Sequence, residues 1–580
     1  MIRNHRTTTV IALIAGISAV ALALTPSLVP RPALFQGFLA GLSFGLAYLA
    51  AAIASRFLAR TLARRRARTA AANHAIEVES VLPGQSNIRT GRTQPFRFWI
   101  WLAAGAAGVA YTAVVGRLAI GWQNDVRQKV DMPRVDGLDL VTFFLVAVLM
   151  AAVVFAAHWG LRKLVDVGRG WTRRATPVPR LVTAGGFFTA LLGAVIAVTL
   201  LVSAALVGTD VVYAARNQTT PNNISEPSSE FRSAGAQSLV SWDQLGMQGR
   251  TFVGGGPHAA LISSVTQLPA IEPIRVYVGQ AQGNTMEDRA NLAVAELKRT
   301  GGFKRSTLMI ATPTGSGWLE RQAVDSLEYL HGGDTAIVSM QYSYQPSWVS
   351  FLFHQDLPRN SGQALYKAVR TEWLAMPAED RPKLLVYGLS LGASGMQSAF
   401  SSAEDLVASV DGAVFSGAPN NSQPWGTLQA RRDAGSPPWQ PVYNAGRNIR
   451  WLSNSGDFGN SPGVWEPSRI AYLQHGTDAV SWLTPRLIWT KPDWLAGPAA
   501  SGGRAPDVSD SMLWMPLITY LQVAFDMFMG ESVPASHGHN FGDVAVEAWN
   551  GVAPSGLDAD AVARIETVIA TYAYEESMTN

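Results

Sequence analysis

The amino-acid sequence predicts an N-terminal bundle of five membrane-spanning helices followed by a domain built on a mostly parallel β-sheet flanked by helices. Two observations predict this architecture. Long apolar runs crowd residues 1–208, whereas residues 209–580 have the mixed composition of a globular domain. From Ile274 onward, short β-rich runs alternate with helical patterns, which is typical of a sheet covered by helices on both faces.

The first part contains five apolar runs, each near the length of about 20 residues that a helix needs to cross a bilayer. They are Thr8–Val29, Leu34–Ser55, Phe98–Gly116, Leu138–His158 and Leu181–Gly208. No clear small-residue cleavage site precedes the second run. The first run is therefore interpreted as a retained anchor and not as a cleaved signal peptide.

Arginine and lysine flank these runs unevenly. They are abundant at the N-terminus and in the loops at 56–97 and 159–180. The loop at 30–33 has a single arginine, and the loop between the third and fourth runs sets Arg127, Lys129 and Arg134 against Asp125, Asp131 and Asp136. By the positive-inside rule, the N-terminus is expected in the cytoplasm. Five crossings then place everything after Gly208 outside the cytoplasmic membrane.

The domain limits follow the same composition. Residues 1–208 are predicted to form the transmembrane domain, 209–265 a linker and lead-in, and 266–580 the sheet domain. Within the latter, 418–468 is rich in Pro, Trp, Gly and Asn and breaks the strand–helix rhythm. It is interpreted either as a lid over the site or as an irregular surface loop.

Strands and helices can be assigned in order along the sheet domain. The predicted strands are Ile274–Val278, Ser306–Ala311, Thr335–Met340, Lys383–Tyr387, Val410–Phe415 and Arg469–Leu473. The predicted helices are Met286–Arg299, Trp318–Leu330, Gly362–Met376 and Leu391–Ser401. Ligands of such sheets bind beyond the carboxyl ends of the strands, so the loops after the strands should hold the chemistry.

The pattern Gly-x-Ser-x-Gly, which can mark a nucleophilic serine, occurs three times. Gly41-Leu42-Ser43-Phe44-Gly45 lies in the second apolar run, where small residues serve helix packing. Gly459-Asn460-Ser461-Pro462-Gly463 has no predicted strand before it and no helix after it. Only Gly388-Leu389-Ser390-Leu391-Gly392 joins a strand to a helix. Ser390 is therefore the candidate nucleophile, because a sharp strand-to-helix turn exposes the hydroxyl.

A nucleophilic serine needs a base, which in turn needs an acid to orient it. In this kind of site the acid and then the histidine follow the serine in chain order. Asp478 comes directly after the last predicted strand, at its carboxyl end, and is the preferred acid. The rivals without that placement are Asp493, Asp507, Asp510 and Asp526.

The base must be one of three downstream histidines. His475 shares the loop of the acid and is interpreted as structural. His537 and His539 both lie in Pro534–Phe541, a predicted flexible loop, and two neighbours on such a loop need not share a direction. His539, after Gly538, is the preferred base, and His537 is the alternative.

Backbone amides should stabilise the oxyanion. The N–H of Leu391 follows the nucleophile at a helix N-terminus, and the Gly-rich turn Thr312–Trp318 offers Thr314 or Gly315 as the second donor. A plain helix-capping turn is the alternative for that segment. A zinc site at His537, His539 and Asp543 is disfavoured because no upstream ligand cluster exists, and no metal or cofactor is expected.

Composition narrows the function further. The chain has no cysteine, which excludes disulfides, thiolate metal sites and cysteine nucleophiles. The net charge of +4 comes largely from arginines beside the apolar runs, so it is weak evidence for nucleic acid. The expected partners are the bilayer and a lipid or acyl-ester substrate.

The assembled residues resemble a family of bacterial membrane-anchored α/β-hydrolases, Abhydrolase_9, with an N-terminal multi-span region and a C-terminal hydrolase domain. The similarity covers nearly the whole chain. Leu389 and Ser536 stand where the family pattern has an acidic residue and a glycine. The resemblance implies the α/β-hydrolase fold and a triad of Ser390, Asp478 and a C-terminal histidine. The blocks that carry it are Arg275–Gly279, Leu297–Phe303, Thr312–Trp318, Gly333–Trp348, Tyr472–Asp478, Lys491–Trp494 and Val533–Phe541.

The sequence thus predicts a membrane-anchored serine hydrolase that cleaves an ester through an acyl-Ser390 intermediate. The tether, together with Trp425, Trp439, Trp451 and Trp465 around the insertion, favours a lipid or acylated envelope component. Core packing is the other interpretation of these tryptophans. The alternatives are an acyltransferase with the same triad and a catalytically idle hydrolase fold that serves as an envelope scaffold.

Overall fold

A computed structural model of the chain describes residues 2–74, 94–497 and 503–572, with side chains at 7–65 and from 106 onward within those ranges. The chain divides into two compact units. The first comprises Met1–Gln128, Pro133–Val195 and Ser511–Leu513. The second comprises Lys129–Met132, Ile196–Asp510 and Trp514–Asn580.

Long apolar helices make up the first unit and lead into the second. They are α1 (Ile2–Ala23), α2 (Ala33–His74), α3 (Gln94–Lys129), α4 (Leu140–Ala175) and α5 (Pro179–Asn217). Prolines separate them where the chain turns: Pro26, Pro30 and Pro32 lie between α1 and α2. α5 begins with a proline at its first position, where the missing N–H is not needed.

The glycines of the first Gly-x-Ser-x-Gly copy serve helix packing, as the sequence predicted. A Cβ on Gly41 would lie 2.2 Å from the carbonyl oxygen of Ala147 on α4, and one on Gly45 would lie 2.8 Å from Cβ of Val154. Only glycine lets the backbones of α2 and α4 approach this closely. Ser43 is therefore part of a helix contact and not of a catalytic turn.

Three described helices, and not the five predicted, are long and apolar enough to cross a membrane: Ala33–Arg65, Leu140–Ala175 and Pro179–Asn217. The predicted span Thr8–Val29 is cut short because α1 ends at Ala23, ahead of Pro26, and leaves a short apolar helix at Thr7–Ala23. The predicted span Phe98–Gly116 begins outside the residues whose side chains are described.

The second unit is built on one seven-stranded parallel sheet, so the predicted parallel sheet is confirmed. The strand order is β1-β3-β2-β4-β5-β7-β6. The strands are β1 (Ile274–Val278), β2 (Thr307–Thr312), β3 (Thr335–Met340), β4 (Lys383–Leu389), β5 (Gly412–Ser416), β6 (Ile449–Leu452) and β7 (Arg469–Leu473). Nearly every strand residue is buried, as expected for a sheet covered on both faces.

Helices cover both faces of this sheet, and the four predicted ones are present with shifted ends. The helices of this unit are α6 (Gly246–Gly254), α7 (Ala259–Thr266), α8 (Met286–Thr300), α9 (Arg321–Leu330), α10 (Ser347–Phe353), α11 (Asp356–Ala375), α12 (Leu391–Gln397), α13 (Ala403–Ser409), α14 (Trp425–Ala430), α15 (Ala479–Trp482), α16 (Ile518–Asp526), α17 (Ala545–Val552) and α18 (Ala559–Ile569). The predicted helices are α8, α9, α11 and α12. α10 and α16 were not predicted, and both flank the site described below.

Within residues 209–265, predicted as a linker and lead-in, two helices contribute to the core of the second unit. α5 continues to Asn217, and Phe252 and Ile262 of the following helices join the hydrophobic core. The Arg250 guanidinium donates to the carbonyls of Gln218 at 2.6 Å and Thr219 at 3.0 Å. Arg250 of α6 thus ties the polar stretch that follows α5 to the second unit.

The segment 418–468, interpreted as a lid or a surface loop, supplies the edge strand β6. Trp425 and Trp451 are almost completely buried in the core, which is the other interpretation given for the tryptophans. Trp451 stacks on Tyr472 of the neighbouring strand, with ring centroids 5.2 Å apart. All residues of this segment are described, and none lines the pocket that contains Ser390.

Candidate active site

Ser390 lies on a strained turn between β4 and α12. Its backbone has φ 56° and ψ −123°, a conformation that costs a non-glycine residue free energy and is found where the surrounding structure enforces it. The backbone N–H of Ser390 donates to the carbonyl of Ser416 on β5 at 2.9 Å. The turn thus presents the serine at the carboxyl end of the sheet, as a nucleophile elbow does.

The two glycines of this motif are required by close backbone approach. A Cβ on Gly388 would lie 2.4 Å from the carbonyl oxygen of Gly392, across the turn. A Cβ on Gly392 would lie 2.1 Å from the carbonyl oxygen of Thr312, at the end of β2. A side chain at either position would push the helix away from the strands and open the turn.

Asp478 follows β7 at the carboxyl end of the sheet and is fully buried. Its carboxylate accepts hydrogen bonds from the Val480 N–H at 2.9 Å and the Ser481 hydroxyl at 3.0 Å. These donors compensate the carboxylate for the water it lacks and fix its direction.

His539 meets Asp478 with its Nδ1, 3.0 Å from Oδ2 of the carboxylate. Its backbone N–H donates to the carbonyl of Gly530 at 2.8 Å, and its ring lies so close to Gly417 that a Cβ there would be 2.3 Å from Cε1. When Nδ1–H donates to a carboxylate, the neutral ring carries its lone pair on Nε2. His539 and Ser390 line the same pocket.

His537, the alternative base, is engaged elsewhere. Its Nε2 lies 3.0 Å from Oδ2 of Asp131, and its Nδ1 lies 4.0 Å from Oδ2 of Asp507. Burial lowers the pKa of His537, but the hydrogen bonds and charges of Asp507 and Asp131 outweigh it and raise the pKa above its usual value. The aspartates that His537 contacts are thus Asp131 and Asp507, whereas Asp478 contacts His539.

The loop of the base is fastened to the loop of the acid through Gly538. The Gly538 N–H donates to the Thr477 hydroxyl at 2.9 Å, and Nδ1 of His475 lies 3.0 Å from the Gly538 carbonyl oxygen. Gly538 has φ 57°, and a Cβ would lie 2.4 Å from the carbonyl oxygen of Gly530. His475 is therefore structural, as predicted, and it also positions the candidate base.

The predicted second oxyanion donors have partners of their own. The Thr314 N–H donates to the carbonyl of Trp318 at 2.9 Å, and the Gly315 N–H donates to the Ser347 hydroxyl at 3.2 Å. Neither residue lines the pocket, whereas Ser316 and Ser347 do. The turn thus lies beside the elbow, but these two amides are used to shape it. Leu391, the first predicted donor, opens α12 and does line the pocket.

Two of the rival acids and the residue proposed as a zinc ligand, Asp543, have other partners. Asp493 pairs with Arg432 at 2.8 Å on the surface, and Asp507 accepts from the Thr477 hydroxyl at 2.6 Å. Asp543 binds the hydroxyl of Ser536. Among the described residues, no group of three or more His, Cys, Asp or Glu side chains is placed to hold a metal ion.

The pocket around Ser390 is mainly apolar and has an empty volume of about 950 Å³ with its open mouth included. α10 and the segment after α16 contribute Trp348, Phe351, Met527 and Phe528. Tyr213, Arg216 and Asn217 come from the end of α5. The sequence did not identify these residues as part of the site, since side chains outside a motif show no sign of which pocket they line.

A pocket-lining serine on a strained strand-to-helix turn, followed in chain order by an aspartate and a histidine that contact each other, is the arrangement of the α/β-hydrolase class. The chain belongs to the alpha/beta-hydrolase family. The profile of that family matches residues 274–565, and a second profile for the family's N-terminus matches residues 24–257. Comparisons with curated proteins and with solved structures gave no match.

Leu389 and Ser536, where an acidic residue and a glycine were expected, have different surroundings. Leu389 is 2% exposed and belongs to the hydrophobic core, where an acidic side chain would need a partner. Ser536 has φ 73°, the left-handed region that favours glycine. Its N–H donates to Asp543 at 3.1 Å, as a glycine N–H could, and its hydroxyl donates to the same carboxylate, a contact that a glycine would lack.

Proposed function

We propose that the protein is a serine hydrolase in which Ser390, His539 and Asp478 form the catalytic triad. The observation that carries the proposal is the 3.0 Å contact between Nδ1 of His539 and the carboxylate of Asp478, next to a pocket shared with Ser390. The strained backbone of Ser390 supports it independently. A turn serine without a chemical role would gain nothing from that conformation.

The reaction is an acyl transfer in two halves. The Ser390 hydroxyl attacks the ester carbonyl while Nε2 of His539 takes its proton, and Asp478 stabilises the resulting imidazolium. The backbone N–H of Leu391 stabilises the oxyanion. His539 then protonates the leaving alcohol, and water, activated by the same histidine, releases the acid from acyl-Ser390.

The proposed substrate is an ester with an apolar acyl group, of a lipid or an acylated component of the cell envelope. The aromatic and thioether side chains of Trp348, Phe351, Met527 and Phe528 suit an acyl chain, because they bury apolar surface without demanding hydrogen bonds. Ser316, Ser347 and Gln248 supply a few polar groups at the same pocket.

Replacing Ser390 with Ala in the full-length chain is expected to abolish labelling by a fluorophosphonate probe and to lower ester hydrolysis by at least about 10³-fold. Ser461→Ala is the matched control, since Ser461 occupies the same five-residue pattern in a segment with no elbow. Labelling is measured on the detergent-solubilised protein by in-gel fluorescence. Equal labelling of the Ser390→Ala protein would refute the assignment of the nucleophile.

The hydrolase domain is proposed to lie outside the cytoplasmic membrane, anchored by α5. The segment 159–180, which directly precedes the apolar part of α5, carries six arginines and lysines against one aspartate. The positive-inside rule places that segment in the cytoplasm. A single crossing by α5 then brings residues beyond Asn217 to the outer side, however many helices cross before it.

The absence of cysteine allows a clean test of this topology. A membrane-impermeant maleimide added to intact cells is expected to label the Val464→Cys protein, because position 464 is 81% exposed in the second compact unit (the hydrolase unit). Ala175→Cys, at the end of α4, should react only after the cells are permeabilised. The reverse pattern of labelling would place the catalytic domain in the cytoplasm.

A further inference from the structure

The last apolar helix reaches into the candidate active site. Tyr213, Arg216 and Asn217, in the final turns of α5, line the same pocket as Ser390 and His539. α5 is also one of the three described helices long and apolar enough to cross a membrane. One helix therefore carries both a candidate span and part of the pocket wall.

The end of α5 is held by the loop that follows β3. Oδ1 of Asp210 accepts from the Tyr344 hydroxyl at 2.9 Å and from Nε2 of Gln345 at 2.7 Å. Oδ1 of Asn217 accepts from Nε2 of Gln341 at 3.1 Å. The pocket wall is thus tied to α5 by three hydrogen bonds from one loop.

The pocket lies close to the apolar part of α5. Residues 181–208 contain no charged side chain, and Tyr213 follows Gly208 by five residues. At 1.5 Å per residue, the ring of Tyr213 is attached about 7 Å along the helix from the end of that apolar run. This distance is comparable to the depth of the lipid headgroup region, which is about 5–7 Å on each side of the hydrocarbon core.

α10, which starts where that loop ends, is apolar on two sides. Trp348 and Phe351, three residues apart, line the pocket. Leu352 and Phe353 lie on the outside of the protein, 53% and 45% exposed. Two adjacent apolar side chains exposed to water are unfavourable, whereas the interface of a bilayer accommodates aliphatic and aromatic side chains.

We infer that Leu352 and Phe353 of α10 dock onto the bilayer where α5 leaves it, and that the pocket takes the acyl chain of a membrane-resident ester directly from that leaflet. The inference rests on the proposed function, since it needs Ser390 to act on the ester. It extends that function by assigning a membrane-docking surface and a route of entry. The continuity of α5 with the pocket wall identifies lipid, and not a second protein, as the occupant.

The experiment uses the full-length chain in phosphatidylcholine vesicles and two substrates with the same leaving group. 4-Methylumbelliferyl oleate partitions into the bilayer, and 4-methylumbelliferyl acetate stays in water. Rates are normalised to the amount of Ser390 labelled by a fluorophosphonate, so that misfolded protein is not counted. The ratio of oleate to acetate hydrolysis is the readout.

The double substitution Leu352→Glu/Phe353→Glu is expected to lower that ratio about tenfold or more, because two carboxylates cannot enter the apolar interface. Leu352→Met/Phe353→Leu should keep the wild-type ratio, as should Val464→Glu, a matched substitution at an exposed apolar position away from the pocket lining. A wild-type ratio in the glutamate pair would overturn the docking surface. Absence of both labelling and hydrolysis in the wild type would instead refute the proposed function.

Discussion

Replacing Asp478 with Asn is expected to lower kcat for ester hydrolysis by about 10⁴-fold. The carboxylate of Asp478 accepts from Nδ1 of His539 at 3.0 Å, which leaves the lone pair on Nε2 for the proton of the nucleophile. An amide in its place can turn its NH₂ toward the ring. The histidine then changes tautomer, and Nε2 carries a hydrogen where the mechanism needs a lone pair.

The substitution should leave the fold intact, because an amide oxygen can still accept from the Val480 N–H, now 2.9 Å from the carboxylate. Asp493→Asn is the control: it changes a rival acid that pairs with Arg432 on the surface, and it should keep kcat within about twofold. Rates are measured by acyl-enzyme burst and steady-state assays. If Asp478→Asn retained a tenth of the wild-type rate, another residue would have to orient the base.

The parallel sheet was predictable because each strand has its own apolar run bounded by turns. Six of the seven strands were found in the sequence, and the elbow strand ends next to Ser390, as predicted. β6 was missed for a physical reason. Ile449–Leu452 is only four residues long, includes an arginine, and lies in a segment whose many prolines and glycines indicate loops. Its pairing with β7 stabilises it as a strand.

The choice between His537 and His539 depends on a backbone direction that no sequence pattern reports. Gly538, between them, has φ 57° and is held by Thr477 and His475 on the loop of the acid. That geometry turns His539 toward Asp478 and His537 toward Asp131, so two residues of one type on one loop face different partners. The order of serine, acid and histidine was predictable; which histidine faces the acid was not.

The pocket lining and the oxyanion turn were predicted least well. The predicted oxyanion turn follows β2, and within it the amides of Thr314 and Gly315 donate to the Trp318 carbonyl and the Ser347 hydroxyl. The contribution of α5 arises from a tertiary contact between segments more than 100 residues apart in sequence, such as that of Tyr344 with Asp210. The sequence pattern detects α5 as an apolar helix, but it cannot indicate which part of the fold the end of α5 contacts.

Replacing Gly392 with Ala is expected to destabilise the hydrolase unit by about 2–4 kcal/mol and to abolish probe labelling of Ser390. A Cβ there would meet the carbonyl oxygen of Thr312 at 2.1 Å, and neither the strand nor the helix can yield as a flexible side chain would. α12 would have to move away from β2, which would open the turn that enforces the backbone of Ser390. Thermal unfolding followed by tryptophan fluorescence gives the loss of stability.

Gly459→Ala provides the comparison, because Gly459 opens the other Gly-x-Ser-x-Gly copy in the hydrolase unit. A Cβ at Gly459 would meet no atom within 4 Å, and its backbone is not in the left-handed region. Alanine there should leave the unfolding midpoint unchanged or slightly higher, since it restricts the unfolded chain. Equal effects of the two substitutions would mean that close approach at the elbow does not hold Ser390 in place. Unequal effects would show that the Gly-x-Ser-x-Gly pattern is structurally required only where it joins a strand to a helix.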